Sequence, residues 1–361
     1  MQAISECPLT YLATRLQLSQ AVALNRRNKY KSRCPGLKFD VTSTDDVTLD
    51  KIGHMKPHLC CYTEGNLDIV RRSDRSSAVV LGHSELFVDI APTPSRDFFI
   101  DPPVGADATS RASHEFLVGP SDTEELAIIQ EAFGQHIAYV IEILARQPRT
   151  FLYTVSLAGS RARLLRWDRS GCIVTESFDI REQPDILCQF IWRFSQTTNA
   201  GRGHDMSISI ARPGEEDTFR DIITRYVDSQ LAEGEDLNKA VTQHYQPGQV
   251  FAVTLLPRGF TALDENLQRL LISRPVVTPL SLVGRGTWGY WAIDLKDKCV
   301  VFLKDTWRDK SSKEFEGDVL CRFFHKNVRN VPLVVWHGEV PDQSLNETRE
   351  LTGELSATPS S

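Results

Sequence analysis

The sequence lacks any apolar run that approaches the roughly 18–20 residues needed to cross a bilayer, so we expect no membrane-spanning segment. It has 8 cysteines but no C-x-x-C pair and no Cys/His spacing typical of zinc ligands, so we expect free thiols and no metal site. It also lacks a secretory signal, which favours a reducing intracellular compartment, cytoplasmic or nuclear.

An excess of charge of one sign is missing as well. The 41 basic and 47 acidic residues give a net charge of −6, and this balance predicts no nucleic-acid partner for the chain as a whole. Hydrophobic residues make up 41% of the 361 positions, which is enough to bury a sizeable core. At about 100–200 residues per domain, the length predicts two or three domains.

The first 33 residues differ from the rest in charge, with six basic residues against one acidic residue. The stretch from Leu12 to Leu24 predicts an amphipathic helix. A solvated basic helix, a mitochondrial presequence and a nuclear address at residues 26–31 are the open interpretations of this segment.

Hydrophobic periodicity predicts both helices and strands in the middle of the chain. A long helix from Asp122 to Arg146 is predicted to begin at a capping box formed by Ser121 and Glu124. The other predicted elements are a hairpin of strands 151–157 and 162–167 that turns at 168–171 into a further strand, a helix that begins near Pro184, a helix over 216–231, and mainly strands from residue 249 onward.

A glycine-rich pattern, G-x-G-x-x-G, is formed by Gly284, Gly286 and Gly289. In a dinucleotide-binding fold such glycines open a helix, whereas in a protein kinase they lie between two antiparallel strands and cover the phosphates of ATP. Strands are predicted here over 279–283, 290–295 and 299–304, with no helical period after the glycines. The pattern therefore favours a phosphate-covering hairpin, and a plain glycine-rich hairpin is the alternative.

Lys304 ends the third predicted strand, 20 residues after Gly284. This spacing accommodates the rest of the loop, one strand, a tight turn and another strand, so we expect the lysine to lie beside the bound phosphates. Glu316 precedes apolar residues at helical spacing and is the predicted ionic partner of Lys304, with Glu314 as the rival candidate. A further strand is predicted over 331–336.

Five motifs in this order resemble those of the fungal-type protein kinase domain family. They are Arg166-Trp167-Asp168-Arg169-Ser170-Gly171, Gly201-Arg202-Gly203-His204-Asp205, Gly284-Arg285-Gly286-Thr287, Phe302-Leu303-Lys304-Asp305-Thr306-Trp307-Arg308 and Glu316-Gly317-Asp318. The resemblance covers roughly residues 115–340 and, more loosely, 57–102. It implies that Gly284, Gly286 and Gly289 form the phosphate loop, that Lys304 is the phosphate lysine and that Glu316 is its partner.

The resemblance also implies an α+β fold in which a family-specific, β-rich α+β region is followed by a partial kinase-like ATP lobe. We expect an N-terminal region at 1–114, the family-specific domain at 115–278, the ATP lobe at 279–340 and a disordered tail at 341–361.

The chain departs from a kinase because it contains neither an H-R-D nor a D-F-G tripeptide, which supply the catalytic base and a magnesium ligand. We therefore expect a truncated kinase-like protein that binds ATP weakly or retains only a vestigial ATP site, and that uses Mg²⁺ only if a catalytic lobe is supplied. No catalytic residue is assigned. The alternatives are a non-catalytic binding or scaffold module, with a protein partner covering the exposed lobe edge, and a fragment of an incomplete gene model.

Two other groups of residues are candidate sites. Glu85 and Asp89 lie four residues apart in a predicted strand, so they share a face. We expect that face to be exposed, and a metal-dependent nuclease site is the less favoured interpretation. We expect residues 201–205 to form a tight loop, with an anion cradle as the alternative. Asp168, Arg169 and Ser170 are predicted to shape a turn.

Overall fold

The computed structural model describes residues 27–28, 31–32, 34–42, 56–119, 123–255, 268–279, 281–307 and 314–338. The chain divides into two compact units, one of residues 1–204 with 351–361 and the other of residues 205–350. Helices combine with two large, mostly antiparallel sheets, so the predicted α+β class is confirmed. Within the described ranges, no helix has the length and apolar character needed to cross a membrane.

The first unit contains a seven-stranded sheet. After a short pair, β1 (Arg27–Asn28) and β2 (Lys31–Ser32), its strands are β3 (Leu37–Val41), β4 (Leu59–Thr63), β5 (Leu86–Ala91), β6 (Leu152–Ala158), β7 (Arg161–Asp168), β8 (Gly171–Val174) and β9 (Phe178–Asp179). Strands β3 to β8 lie in sequential order, and β9 pairs with β7. Every pairing is antiparallel except that of β5 with β6, which are joined by a long crossover.

The helices described in this unit are α1 (Glu64–Arg72), α2 (Ser77–Gly82), α3 (Ala108–Ala112), α4 (Glu124–Arg146) and α5 (Pro184–Gln196). Helices α4 and α5 pack on opposite faces of the sheet. Val88 and Val155 form a core with residues of α5 such as Phe194. Side chains alternate along a strand, so Phe87 projects from the opposite face, where its ring lies 4.8 Å from that of His136 on α4. Asp89 shares that face with Phe87.

The second unit contains a five-stranded antiparallel sheet whose strands follow one another in chain order. They are β10 (Ile208–Ile210), β11 (Phe251–Leu255), β12 (Gln268–Ile272), β13 (Trp288–Asp294) and β14 (Cys299–Asp305), and the helices are α6 (Glu215–Gln230), α7 (Leu237–Val241) and α8 (Glu316–His325). Helix α6 packs on one face of the sheet through Phe219 and Ile223. The other face buries Trp288 and Tyr290.

Most of the predicted elements are present. The long helix begins two residues later than predicted, with Thr123 rather than Ser121 as the N-cap residue. The strand predictions for 279–283 and 331–336 are wrong: the described residues there adopt no strand. Each stretch contains a proline, which cannot donate a hydrogen bond to a neighbouring strand.

Other predictions concern boundaries and termini. The expected domain boundary at residue 279 falls inside the second unit, because β11 and β12 belong to the same sheet as β13. The predicted helix from Leu12 to Leu24 and the tail at 341–361 lie outside the described residues.

Candidate functional site

The glycine pattern lies beside a regular antiparallel hairpin formed by β13 and β14. Gly289 pairs with Lys304 and Trp291 pairs with Phe302. A strand, not a helix, follows the glycines, which is the arrangement expected of a phosphate-covering loop and not of a dinucleotide-binding turn. Upstream of the loop the pairing is reduced to an isolated bridge between Val277 and Gly289, in place of the strand predicted at 279–283.

The loop itself has two residues in the left-handed region of backbone conformation. Gly284 has φ +96° and Gly286 has φ +45°, values that glycine tolerates because it has no Cβ. The residue between them anchors the loop to the end of β14: the Arg285 carbonyl accepts hydrogen bonds from the Trp307 N–H at 2.7 Å and from the Thr306 hydroxyl at 3.2 Å. The loop is therefore tied to the strand that carries Lys304.

Lys304 and Glu316 form an ion pair. The lysine Nζ donates to both carboxylate oxygens of Glu316, at 2.7 and 2.6 Å, from the first turn of α8. The rival candidate, Glu314, instead accepts from Arg322 at 2.9 Å. The side chains of Lys304 and Glu316 are 41% and 52% exposed, so the pair contributes little to stability and both groups are accessible to a ligand.

In the first turn of α8, Gly317 lies against His337, which follows the helix in the sequence. A Cβ at Gly317 would overlap the imidazole of His337, so glycine is required for this approach. The helix buries none of its residues, and Phe324 and Leu333 are 57% and 68% exposed. A protein partner that covers this apolar surface stays a prediction.

The described residues contain no cluster of three or more His, Cys, Asp or Glu side chains that could hold a metal ion. Magnesium in nucleotide sites is commonly bound by one or two carboxylates together with the substrate phosphates. A metal held in that way needs fewer protein ligands than such a cluster supplies.

Glu85 was expected to lie on an exposed acidic face, and this expectation is wrong. Its side chain is 4% exposed, and its Oε2 lies 2.9 Å from His204 Nε2, 3.3 Å from the buried Arg149 guanidinium and 3.4 Å from Arg202 Nε. Burial alone would raise the pKa of Glu85, but the His204 hydrogen bond and the neighbouring positive charges lower it to about 2. The carboxylate thus joins the loop around residue 203 to the sheet.

Asp89 lies within β5, whereas Glu85 precedes the first residue of that strand, and Asp89 is covered by α4. Its carboxylate contacts His58 Nδ1 at 2.8 Å and His136 Nδ1 at 3.3 Å. His136 Nε2 lies 3.0 Å from the Thr154 hydroxyl, which accepts from Trp167 Nε1 at 2.9 Å. Burial opposes ionisation of Asp89, yet the hydrogen bonds from the two imidazoles hold its pKa below the usual range. The position of His136 on the apolar face of α4 was the sequence signal for this network.

The remaining sequence candidates have structural roles. Asp168 Oδ1 accepts from the Ser170 N–H at 2.8 Å and so closes the β7–β8 turn, as predicted. Burial raises the pKa of Asp168. In the loop at 201–205, Arg202 and His204 form ion pairs with the Glu85 carboxylate. The anion that this loop binds is therefore a side chain of the protein itself.

Comparison with known proteins identifies the family. The family model described as fungal protein kinase matches residues 121–358, which is more than half of the chain. No curated protein and no solved structure matches the chain. With its glycine loop, its strand lysine and the helix glutamate paired to that lysine, the chain belongs to the fungal protein kinase family.

Proposed function

We propose that the second unit binds the phosphates of ATP through the glycine loop at 284–289 and through Lys304, with Glu316 orienting the lysine. The observation that supports this proposal is the contact between Lys304 Nζ and the Glu316 carboxylate at 2.7 and 2.6 Å, next to the loop. Lys304 and Glu316 are 12 positions apart in the sequence and meet at the end of β14. The glycine loop is hydrogen-bonded to the same end of the chain segment. A lysine held in this way presents a fixed positive charge to a phosphate chain.

We further propose that these 361 residues do not transfer the phosphate by themselves. The sequence contains no H-R-D and no D-F-G motif, so the base that positions a substrate hydroxyl and an aspartate that binds magnesium are both missing from it. Phosphoryl transfer depends on positioning and on stabilisation of the developing charge, and a lysine with a phosphate loop supplies only part of each.

Nucleotide binding is tested by titrating the full chain with ATP in an isothermal calorimeter, with and without Mg²⁺. We expect Lys304→Met to lower the affinity about tenfold or more, because it removes a charge-assisted contact worth about 1.5–3 kcal/mol. Lys296→Met is the matched control, since this exposed lysine follows β13 at the far end of the same hairpin. Equal affinity of the Lys304 variant and the wild type would refute the assignment.

The absence of transfer is tested separately with radiolabelled ATP, Mg²⁺ and a generic protein substrate. We expect no labelling of the chain or of the substrate. Labelling that disappears in Lys304→Ala would show that the proposal of an inactive polypeptide is wrong.

A further inference from the structure

Two cysteines of the first unit meet in its core. Cys34 lies shortly before β3 and Cys61 lies in β4, and both side chains belong to one buried cluster, at 2% and 0% exposure. The two thiols are hydrogen-bonded to each other, with Cys61 as the donor and Cys34 as the acceptor. Two sulfur atoms in direct contact need only a small further approach to form a covalent bond.

A tight turn holds Cys34 in this position. The Leu37 N–H donates to the Cys34 carbonyl at 3.2 Å, and Gly36 has φ +75°, the conformation that a type II turn requires at its third residue. Pro35 occupies the second position, where its fixed φ is favoured. The turn is exposed at Gly36, so that local opening of the turn, without unfolding of the sheet, gives a small oxidant access to the Cys34 sulfur.

The two thiols differ in reactivity. The hydrogen bond from Cys61 lowers the pKa of Cys34, and the charge of Lys38 acts in the same direction, whereas burial opposes both. Burial together with the same hydrogen bond raises the pKa of Cys61. Because the thiolate is the nucleophilic form of cysteine, Cys34 is the group that attacks an oxidant, and Cys61 is the protonated partner beside it.

Cys60 offers an internal comparison, since it is as buried as its neighbour Cys61. Side chains alternate along β4, so Cys60 projects to the opposite face of the sheet. Its sulfur lies 3.8 Å from the Thr42 hydroxyl, and its hydrogen bonds are with hydroxyl groups, that of Ser84 among them. Burial raises the pKa of Cys60 to about 11. This thiol is therefore neither paired with a second thiol nor activated.

We propose that Cys34 and Cys61 form a reversible disulfide when the chain meets a hydroperoxide. The Cys34 thiolate attacks one peroxide oxygen and the O–O bond breaks, which gives a sulfenic acid and a hydroxide that becomes water with the proton Cys34 had released. The Cys61 sulfur then attacks the sulfenic sulfur. The S–O bond breaks, and the departing hydroxide takes the Cys61 proton to form a second water. Two thiols and one hydrogen peroxide thus give one disulfide and two waters.

The disulfide has a physical consequence for the first unit. It joins the segment that enters β3 to the neighbouring strand β4, and it closes the chain between residues 34 and 61. Such a link restricts the unfolded chain more than the folded one. The oxidised chain is therefore expected to unfold at a higher urea concentration than the reduced chain, and a thiol reductant is expected to restore the original midpoint.

The experiment treats the reduced full chain with hydrogen peroxide, blocks the remaining thiols by alkylation and maps cross-linked peptides by mass spectrometry. We expect one predominant cross-link, between the peptide of Cys34 and the peptide that contains Cys60 and Cys61, which has lost two hydrogens and disappears after reduction. Cys34→Ala and Cys61→Ala are expected to lose this cross-link. Cys60→Ala is the matched control, because it also removes a buried thiol from β4, and it is expected to retain the cross-link.

Four results would overturn the inference. The first is no cross-link at a peroxide dose that oxidises the exposed Cys188 and Cys299. The second is a cross-link that Cys60→Ala loses and Cys61→Ala keeps, and the third is equal cross-linking of the urea-unfolded chain. The fourth is an unchanged or lower urea midpoint after oxidation. Far-ultraviolet dichroism checks that each variant is folded, and Cys34→Ala, which changes a turn residue, keeps the test decisive if Cys61→Ala does not fold.

Discussion

Replacement of Glu85 by glutamine tests the buried charge cluster of the first unit. The substitution keeps the shape of the side chain but removes the negative charge from a carboxylate that is 4% exposed. It leaves the guanidinium of Arg149, whose side chain is 0% exposed, without a charged partner at 3.3 Å. A buried positive charge left without its counterion is strongly destabilising.

The magnitude follows from the pKa. Folding lowers the pKa of Glu85 from its ordinary value of 4.5 to about 2, despite the opposing effect of burial. Each pKa unit corresponds to about 1.4 kcal/mol, so the carboxylate contributes about 3 kcal/mol at neutral pH. This agrees with the lower end of the roughly 3–5 kcal/mol lost when a buried ion pair is broken.

The sign of the pH dependence is fixed because the pKa is lower in the folded state. The contribution is complete above about pH 4.5 and is lost as the pH falls toward 2, with less than half of it remaining near pH 3. The difference in the free energy of unfolding between wild type and Glu85→Gln should therefore decrease over this range. If that difference stays constant between pH 7 and pH 3, the destabilisation comes from packing and not from the charge.

The assay is urea unfolding, monitored by hydrogen exchange of peptides from β5 and β6. These strands belong to the unit that contains Glu85. The matched control is Glu142→Gln, because Glu142 pairs with Arg146 on the surface of α4 at 38–39% exposure. We expect Glu142→Gln to lower the free energy of unfolding by no more than about 0.5 kcal/mol. If Glu85→Gln lowers it by less than about 1 kcal/mol, the argument from the buried ion pair is wrong.

Two glycines give the remaining predictions. Gly203→Ala places a Cβ into the Phe151 carbonyl at a residue with φ +90°, and we expect it to destabilise the chain by at least about 2 kcal/mol in urea unfolding; a loss below about 0.5 kcal/mol contradicts this. Gly289→Ala displaces the Phe302 ring, so we expect a loss of about 1–3 kcal/mol, with a changed near-ultraviolet dichroism of the aromatic cluster; an unchanged spectrum contradicts the contact.

The elements that could be predicted from the sequence are those specified by local pattern. The 3.6-residue period of α4 identifies this helix because one of its faces is buried against a core. Strands β6 and β7 are recognisable as short segments bounded by turn residues, although six of the seven residues of β6 are buried and do not alternate with exposed ones. The strand predicted over 331–336 failed because a strand also needs a partner with free hydrogen-bonding groups. This stretch carries Pro332, and its Trp336 packs onto the aromatic face of the second sheet instead.

The buried carboxylates could not be assigned correctly from local pattern. Glu85 and His204 are 119 positions apart in sequence, and Asp89 and His136 are 47 apart. Two acidic residues on one face of a strand indicate exposure unless basic groups from elsewhere cover them. Those basic groups come from distant parts of the chain and are known only from the fold. Two acidic residues four positions apart are therefore compatible both with a solvated face and with a buried charge network.

The three glycines of the G-x-G-x-x-G pattern show that one motif can combine different physical requirements. Gly284 and Gly286 are needed for their backbone, since both adopt positive φ. Gly289 does not; it lies in a regular strand opposite Lys304, and what it contributes is the absence of a side chain. That absence lets the Phe302 ring lie over the hairpin, next to the lysine. A glycine pattern that is interpreted only through backbone conformation therefore overlooks a position at which glycine makes room for a neighbouring ring.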